Sequence, residues 1–265
     1  MQLPALRWLS TAAAAFLACL SCTALGRVEP RLLMGLQTSH LGAIMVINSH
    51  AVEAGPKRDV SLHIIIPSVG RRSLFRLLES LEPQLQPRDH VTISFDGQDR
   101  EGIFAAVTEK LKKMSGDHEA IMEREAQKTH GNPLRNKYRA KKGDFVMFAD
   151  DDNWYVADAL ESVRAHVSHD MDGLYLFQMQ HAKMGNIVPD ILGWGEVEVG
   201  NVDSGCGVVP VRHVHLSDWL QDDYVADGLF YKKLAERLPR TYFVPKVIYM
   251  YSGGEGERAT ENGHS

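Results

Sequence analysis

Short apolar runs of strand length alternate with longer segments of helical periodicity between residues 62 and 149. Residues 62–66 are apolar and β-branched and stop at Pro67, as in a buried parallel strand. "SLFRLLESL" follows with leucines at helical spacing, and "HVTISF", "EGIFAAVTEKLKKM" and residues 145–149 repeat the alternation. Strand–helix order at these lengths predicts an α/β fold with a mostly parallel central sheet flanked by helices.

Composition limits the class of protein. The chain has 265 residues, of which 44% are hydrophobic and 24% charged, so it can bury one sizeable core. The formal net charge is −5, and no basic patch indicates a nucleic-acid partner. One of the three cysteines, Cys206, lies outside the N-terminal apolar run, so the main domain has no internal disulfide. In "DSGCGVV" we expect Cys206 to be a small buried residue rather than a nucleophile.

The N-terminal segment differs from the rest of the chain. Arg7 precedes an uncharged apolar run at residues 8–25, a pattern typical of a signal peptide or a single-span signal anchor. Either one predicts entry into the secretory pathway, with the main domain secreted or held in the Golgi or endoplasmic reticulum lumen. The predicted organisation is a targeting segment at 1–26, a stem or linker at 27–59, the folded domain at 60–252 and a disordered tail at 253–265.

Three consecutive aspartates, Asp150, Asp151 and Asp152, end the apolar run at 145–149. Adjacent carboxylates repel and are costly to bury. They can form a solvated strand end, or cap a following helix in "NWYVADALESVRAHV", with Asp152 or Asn153 at its N-cap. The third alternative is a divalent cation, Mn²⁺ or Mg²⁺, whose coordination shell substrate phosphates complete.

Polar residues follow other predicted strands too. Pro67 and Ser68 end the first strand, and Asp96 ends the second, in an Asp-Gly turn. Ligands of open α/β sheets bind at the carboxyl ends of the strands. The sequence therefore predicts one cleft lined by Pro67, Asp96 and the triplet at 150–152, which favours the cation over a solvated turn.

Four segments together resemble GT-A glycosyltransferases, in the order found in that superfamily: "HIIIPSVGRRSLFRLLESL", "ISFDGQD", "RNKYRAKKGDFVMFADDDN" and "DYVADGLFYKKL". The resemblance covers roughly residues 62–251, and "FADDDN" preceded by "RNK" is similar to the β-glucuronosyltransferase type. It implies a GT-A fold and transfer of a hexosyl or glucuronosyl group from a nucleotide-diphosphate sugar, such as a UDP-sugar. The implied acceptor is a hydroxyl group of a glycan or glycoprotein, the implied cofactor is Mn²⁺ or Mg²⁺, and the implied outcome is inversion.

The resemblance also implies roles at the donor site. Asp152 is the main metal ligand and Asp150 a ribose or sugar contact and further metal ligand. Asp151 either contacts the donor or is a carboxylate that faces away from it. The remaining donor contacts are Pro67 and Ser68 as walls of the base site, Asp96 at the uracil ring, Arg71 near the nucleotide, and Arg135 at diphosphate or sugar oxygens. Two alternatives stay open: Asp96 as a turn former, and Arg135 in a buried ion pair that holds its loop.

At the acceptor site the resemblance implies Asp227 as the catalytic base, with Asp222 and Asp223 as alternates; each also suits a helix cap. Trp194 is either an acceptor-stacking residue or a core residue, and His213 and His215 are expected on one face of a strand in a structural role. Two rival classes are a haloacid-dehalogenase-type phosphatase and a sugar-binding domain without activity. The phosphatase pattern requires its acidic motif on the first strand, whereas here the motif lies far into the domain.

Overall fold

The computed structural model describes residues 59–127, 129–190, 197–221, 223 and 225–252, and the backbone of two short strands before them. Among the described residues, eleven strands form one mixed sheet. The strands are β1 Gln37–Thr38, β2 Ala43–Val46, β3 Leu62–Ser68, β4 His90–Phe95, β5 Asp117–Met122, β6 Phe145–Phe148, β7 Trp154–Tyr155, β8 Leu174–His181, β9 Ile187–Val188, β10 Gly207–Pro210 and β11 Arg240–Tyr251. The helices are α1 Ser73–Leu81, α2 Phe104–Leu111, α3 Asn132–Tyr138, α4 Ala159–Val167 and α5 Ala226–Arg237, with 3₁₀ turns at Glu82–Gln84, Ser204–Cys206 and Val211–Leu216.

The predicted α/β fold is confirmed. The sheet runs in the order β1-β2-β11-β8-β10-β6-β3-β4-β5, with β7 beside β11 and β9 beside β8. Both β3 and β6 are buried along their whole length, as their continuous apolar sequences require. The four leucines of α1 that share a face are buried against the sheet: Leu74, Leu77, Leu78 and Leu81.

Strand direction decides which ends meet at the cleft. The pairs β4–β3, β3–β6 and β8–β11 are parallel, while β10 runs antiparallel to both of its neighbours, β6 and β8. The carboxyl ends of β4, β3, β6, β8 and β11 therefore lie at one edge of the sheet. Because β10 is reversed, it brings its first residues, and the turn before them, to that same edge.

Several local predictions are wrong. Trp154–Tyr155 pairs with β11 as a strand, and α4 begins at Ala159, so neither Asp152 nor Asn153 caps it. His213 and His215 lie in a 3₁₀ turn rather than on a strand, and His213 bonds Asp172 at 2.6 Å. The prediction for Cys206 is confirmed, because its side chain is fully buried.

The sheet also begins earlier than the predicted folded domain. Within the segment assigned to a stem, Ala43–Val46 pairs in parallel with the first residues of β11. In the part of the chain that the structure describes, no helix has the length and apolar character needed to cross a membrane. The apolar run at 8–25 and the predicted tail at 253–265 lie outside the described residues.

Candidate active site

A cleft of about 850 Å³ opens at the sheet edge where the parallel strands end. It brings together every site residue that the sequence predicted at the donor and catalytic positions: Pro67, Ser68, Arg71, Asp96, Arg135, Asp150, Asp151, Asp152 and Asp227. Asp223 also lines it, whereas Asp222 and Trp194 lie outside the described residues.

Asp151 faces the end of β3. Its Oδ2 accepts hydrogen bonds from Ser68 Oγ at 2.7 Å and from the backbone of Val69 at 3.2 Å, while Oδ1 accepts one from Arg71 at 3.0 Å. Burial raises the pKa of this carboxyl, and the charge of Arg71 opposes the rise. Asp151 thus ties β6 to β3 and holds Arg71 at the cleft wall, which makes it a support for the site.

Asp150 faces the opposite way and is held from two sides. Its Oδ1 forms an ion pair with Arg135, and its Oδ2 accepts a hydrogen bond from Ser204 Oγ at 2.7 Å. Arg135 also donates to the carbonyl of His130 at 2.7 Å and to Asn132 Oδ1 at 3.0 Å. Arg135 is therefore found in the buried ion pair that was the alternative to direct donor contact.

Asp152 lines the cleft with a side chain that is 19% exposed. Its Oδ2 lies 3.9 Å from Arg71 Nη1, and its backbone carbonyl accepts a hydrogen bond from Arg76 at 2.5 Å. Burial, followed by the charges of Asp150 and Asp151, raises the pKa of Asp152 to about 6. A cation bound here would offset the repulsion that disfavours its ionised form.

The residues fit a divalent cation of a particular kind. Among the described residues, no group of three or more His, Cys, Asp or Glu side chains is arranged to hold a metal alone. A magnesium-type site needs only one or two carboxylates when substrate phosphates and water complete the shell. Asp152, with Asp150 beside it, matches such a shared site and not a closed protein cage.

The end of the cleft where the sequence predicts the base site is built at the ends of β3 and β4. Asp96 is buried, and its Oδ1 accepts a hydrogen bond from the backbone of Gln127 at 2.7 Å. Gly131 lies directly against Pro67: a Cβ there would fall 2.4 Å from that of Pro67. Pro67 is thereby fixed as a rigid wall beside Asp96.

Asp227 lies in the first turn of α5, across the cleft from β3. Its Oδ1 accepts a hydrogen bond from the backbone of Gly228 at 2.7 Å. Burial raises its pKa to about 7, with a further contribution from the charge of Asp203. A carboxyl with a pKa near neutrality is suited to accept a proton from a substrate hydroxyl.

Asp203 and Ser204 were missed by the sequence analysis. Ser204 Oγ lies 3.0 Å from Asp203 Oδ1 and donates to Asp150, which links the turn before β10 to the aspartate triplet. Burial, and then the charge of Asp150, raises the pKa of Asp203. Asp203 and Ser204 precede a strand, whereas the pattern that predicted the other site residues is a polar group that follows a strand.

A sequence signal for this turn does exist in the glycines of "DSGCG". A Cβ at Gly205 would lie 2.2 Å from the ring of Tyr249, and one at Gly207 would lie 2.0 Å from the ring of Tyr231. Each tyrosine forms a hydrogen bond with the backbone of a site residue. Tyr249 Oη accepts from the backbone N–H of Asp150 at 2.8 Å, and Tyr231 Oη donates to the carbonyl of Ser204 at 2.8 Å. The glycines are required for this close approach.

The remaining predicted residue near the cleft is structural. Asn136 exchanges two hydrogen bonds with the backbone of Trp219, at 2.7 and 2.9 Å, and so joins α3 to the segment before α5. Asn136 therefore has a structural role beside Arg135.

Several solved structures match this fold. The structure of S. aureus TarS 1-349 in complex with UDP-GlcNAc matches with a TM-score of 0.62 and 17% identity, over 77% of this chain and 62% of that one. The mannosyltransferase PcManGT from Pyrobaculum calidifontis, in complex with GDP-Man and Mn²⁺, matches with a TM-score of 0.59 and 16% identity, over 76% of this chain and 59% of that one. Neither a family model nor a curated protein matches the sequence.

These matches define the class of fold. The chain has the GT-A fold, which confirms the fold expected from its sequence segments. It spans 61% of the length of the TarS 1-349 structure.

Proposed function

We propose that the protein is a metal-assisted glycosyltransferase that moves a sugar from a nucleotide-diphosphate donor, a UDP-sugar, to a hydroxyl acceptor. The observation that carries the proposal is the position of the two acidic groups in one cleft. The triplet at 150–152 lies between the ends of β3 and β8, while Asp227 lines the same cleft from the first turn of α5. The GT-A fold and its neighbours bound to UDP-GlcNAc or GDP-Man support a nucleotide-sugar donor.

Different residues of the cleft would bind the base, the diphosphate and the cation of the donor. Pro67 and Asp96 border the space for the base, and Arg71 stands at the cleft wall beside the triplet. Asp152, with Asp150 beside it, would hold the divalent cation. The bound cation would neutralise the negative charge that develops on the departing diphosphate.

Asp227 acts on the acceptor in this proposal. Its carboxylate takes the proton of the acceptor hydroxyl while the oxygen bonds to the anomeric carbon and the bond to the diphosphate breaks. A single base with direct displacement gives inversion at that carbon. The transferred group is a hexosyl or glucuronosyl unit, and the accepting hydroxyl belongs to a glycan or glycoprotein.

The site of action proposed for the protein is the secretory pathway, in the Golgi or endoplasmic reticulum lumen or outside the cell. The support is the apolar run at 8–25. A reporter fused after residue 59 and retained in the cytosol would contradict this assignment.

The test of the proposed function compares parent and Asp227→Asn. Parent protein with Mn²⁺ is screened against a panel of nucleotide sugars for release of the nucleoside diphosphate. Asp227→Asn should bind the active donor with unchanged affinity in calorimetry, because the base contacts only the acceptor. Transfer should fall by about 10²- to 10⁴-fold. No turnover of any nucleotide sugar, or full transfer by Asp227→Asn, would refute the proposal.

A further inference from the structure

The arginines that line the cleft are confined to one part of it, where Asp96, Asp151 and Asp152 lie beside them. The half at the ends of β3 and β4 has Arg71 and Arg100 in its lining. Arg135 lies at the centre, where it is paired with Asp150. On the far side, toward β8 and β11, no lysine or arginine among the described residues lines the cleft. We call this far side the acceptor half.

Carboxylates line the acceptor half instead. Asp203 and Asp227 lie where the turn before β10 meets α5, and Asp223 lies just before that helix. Asp227 and Tyr231 occupy one helix face, and Tyr231 bonds the carbonyl of Ser204, so that face packs on the Asp203–Ser204 turn. An anionic group on an acceptor would meet like charges here in a partly desolvated site.

The other wall of the acceptor half carries apolar side chains beside His181, Asn186 and Asn201. Met179 and Val202 are buried there, and Tyr251 is half-buried with the ring of His181 perpendicular to it at 5.1 Å. Met184 also lines this wall and is 65% exposed, the largest exposure among the exposed large hydrophobic residues that the structure describes. An exposed thioether and a tyrosine ring at a cleft offer a surface for the C–H face of a sugar ring.

The hairpin that carries Met184 is fixed by its own hydrogen bonds. His181 Nδ1 accepts from the backbone of both Lys183 and Met184 at 3.2 Å, and Gly185 takes a left-handed conformation, with φ of 75°. Gln180 adds a bond to the carbonyl of Gly185 at 3.2 Å. The apolar wall is therefore preformed.

We propose that the acceptor is a pyranoside without an anionic group near its reactive hydroxyl, whose apolar ring face packs on Tyr251 and Met184. This inference rests on the proposed glycosyl transfer and narrows its acceptor to uncharged sugars. Uronic acids, sialic acids and phosphorylated sugars are excluded as the accepting unit.

The test uses two acceptors that differ at one carbon, p-nitrophenyl β-glucoside and p-nitrophenyl β-glucuronide, with the active donor and Mn²⁺. We expect a kcat/KM at least about tenfold higher for the glucoside at low ionic strength, with a smaller preference as salt screens the carboxylates. Met184→Lys places a cation in the acceptor half and should raise relative use of the glucuronide about threefold or more. Met122→Lys is the matched control, because Met122 is 39% exposed and does not line the cleft.

Three results would overturn the inference: equal or faster transfer to the glucuronide, transfer to neither glycoside while donor is hydrolysed, or the same shift in Met122→Lys as in Met184→Lys. Release of UDP from the donor without acceptor tests the proposed function separately. If no nucleotide sugar is turned over at all, the glycosyltransferase proposal fails and this inference falls with it.

Discussion

The side-chain hydroxyl of Ser204 donates a hydrogen bond to Oδ2 of Asp150 across 2.7 Å, although 54 positions separate the two residues. Arg135 binds the other oxygen of the same carboxylate. Asp150 is therefore fixed before any ligand arrives. Within three positions of sequence, Asp150 is held by Arg135 and Ser204, Asp151 is tied to the end of β3, and Asp152 lines the cleft near Arg71.

Replacing Ser204 with alanine should destabilise the protein, because it removes a hydrogen bond to Asp150. Loss of a hydrogen bond to a carboxylate that is 35% exposed should lower the free energy of unfolding by about 1–2 kcal/mol, measured by urea denaturation. The control is Ser168→Ala, whose hydroxyl donates to the carbonyl of Ala165 at 3.2 Å on α4. It should stay within about 0.5 kcal/mol of the parent. Equal losses in the two variants would show that the bond to Asp150 adds nothing.

Asp152→Asn should abolish manganese-dependent binding of UDP without unfolding the protein. The change keeps the shape of the side chain but removes the charge that would hold the cation, and it relieves repulsion from Asp150 and Asp151. Calorimetric titration of UDP with Mn²⁺ measures the binding, and thermal unfolding should give a Tm no lower than that of the parent. Asp158→Asn is the control, because Asp158 pairs with Lys246 on an exposed surface. Binding of UDP and Mn²⁺ by Asp152→Asn as tightly as by the parent would mean that the triplet is only a strand end.

A pair of glycine substitutions separates backbone strain from damage to the base site. Gly131 and Gly102 both have positive φ, 74° and 65°, so alanine costs about 1 kcal/mol of backbone strain at each. Only the Cβ at Gly131 meets a neighbour, Pro67, whereas the space around Gly102 is open. Gly131→Ala should therefore also weaken UDP binding by about tenfold or more, or 1.4 kcal/mol. A similar loss of UDP affinity in both variants would contradict a role for Pro67 as a wall.

Local sequence pattern predicted the central elements of this fold because their apolar spacing is a local property. Residues 62–66 and 145–149 and the leucines of α1 lie where their periods place them. Trp154–Tyr155 was assigned to a helix because its partner, Tyr249, is far away in sequence, and only that pairing makes it a strand. β5 was missed for a related reason: it is an edge strand whose residues are half-buried or exposed, so it carries no apolar run.

The site was predictable to the extent that it follows parallel strands. Pro67, Asp96 and the triplet lie together because β3, β4 and β6 all end at one edge. Asp203 was not predictable in this way, because it precedes a strand and reaches the cleft only through the reversal of β10. The side chain of Asp150 is held by Ser204 and that of Asp151 by Ser68, and both serines are distant in sequence from the triplet.

Asp203→Asn should move the pH dependence of transfer to lower pH. Asp227 must be ionised to act as a base, and its pKa of about 7 predicts that kcat/KM rises with pH and levels off above neutrality. The charges that face Asp227 are Asp203 and Asp150, which raise its pKa, and Arg135, which lowers it. Asp203 contributes more than Asp150 to the raised pKa of Asp227. In Asp203→Asn, the increase of kcat/KM with pH should therefore occur at lower pH than in the parent.

The raised pKa of Asp227 also determines how the free energy of unfolding changes with pH. Asp227 keeps its proton in the folded state up to a pH of about 7, whereas its ordinary value is 3.8. The folded state therefore binds more protons between these values, and the stabilisation present at low pH is lost as pH rises through about 7. Asp227→Asn should gain stability relative to the parent as pH rises through that interval, measured by urea denaturation at about pH 4 and 6 within it and about pH 8 above it. The control is Asp158→Asn, which removes an exposed carboxylate paired with a lysine and not with a histidine; it should show no such trend. A limb that does not move in Asp203→Asn, together with a flat stability difference in Asp227→Asn, would show that Asp227 titrates as an ordinary surface carboxyl and is not the base.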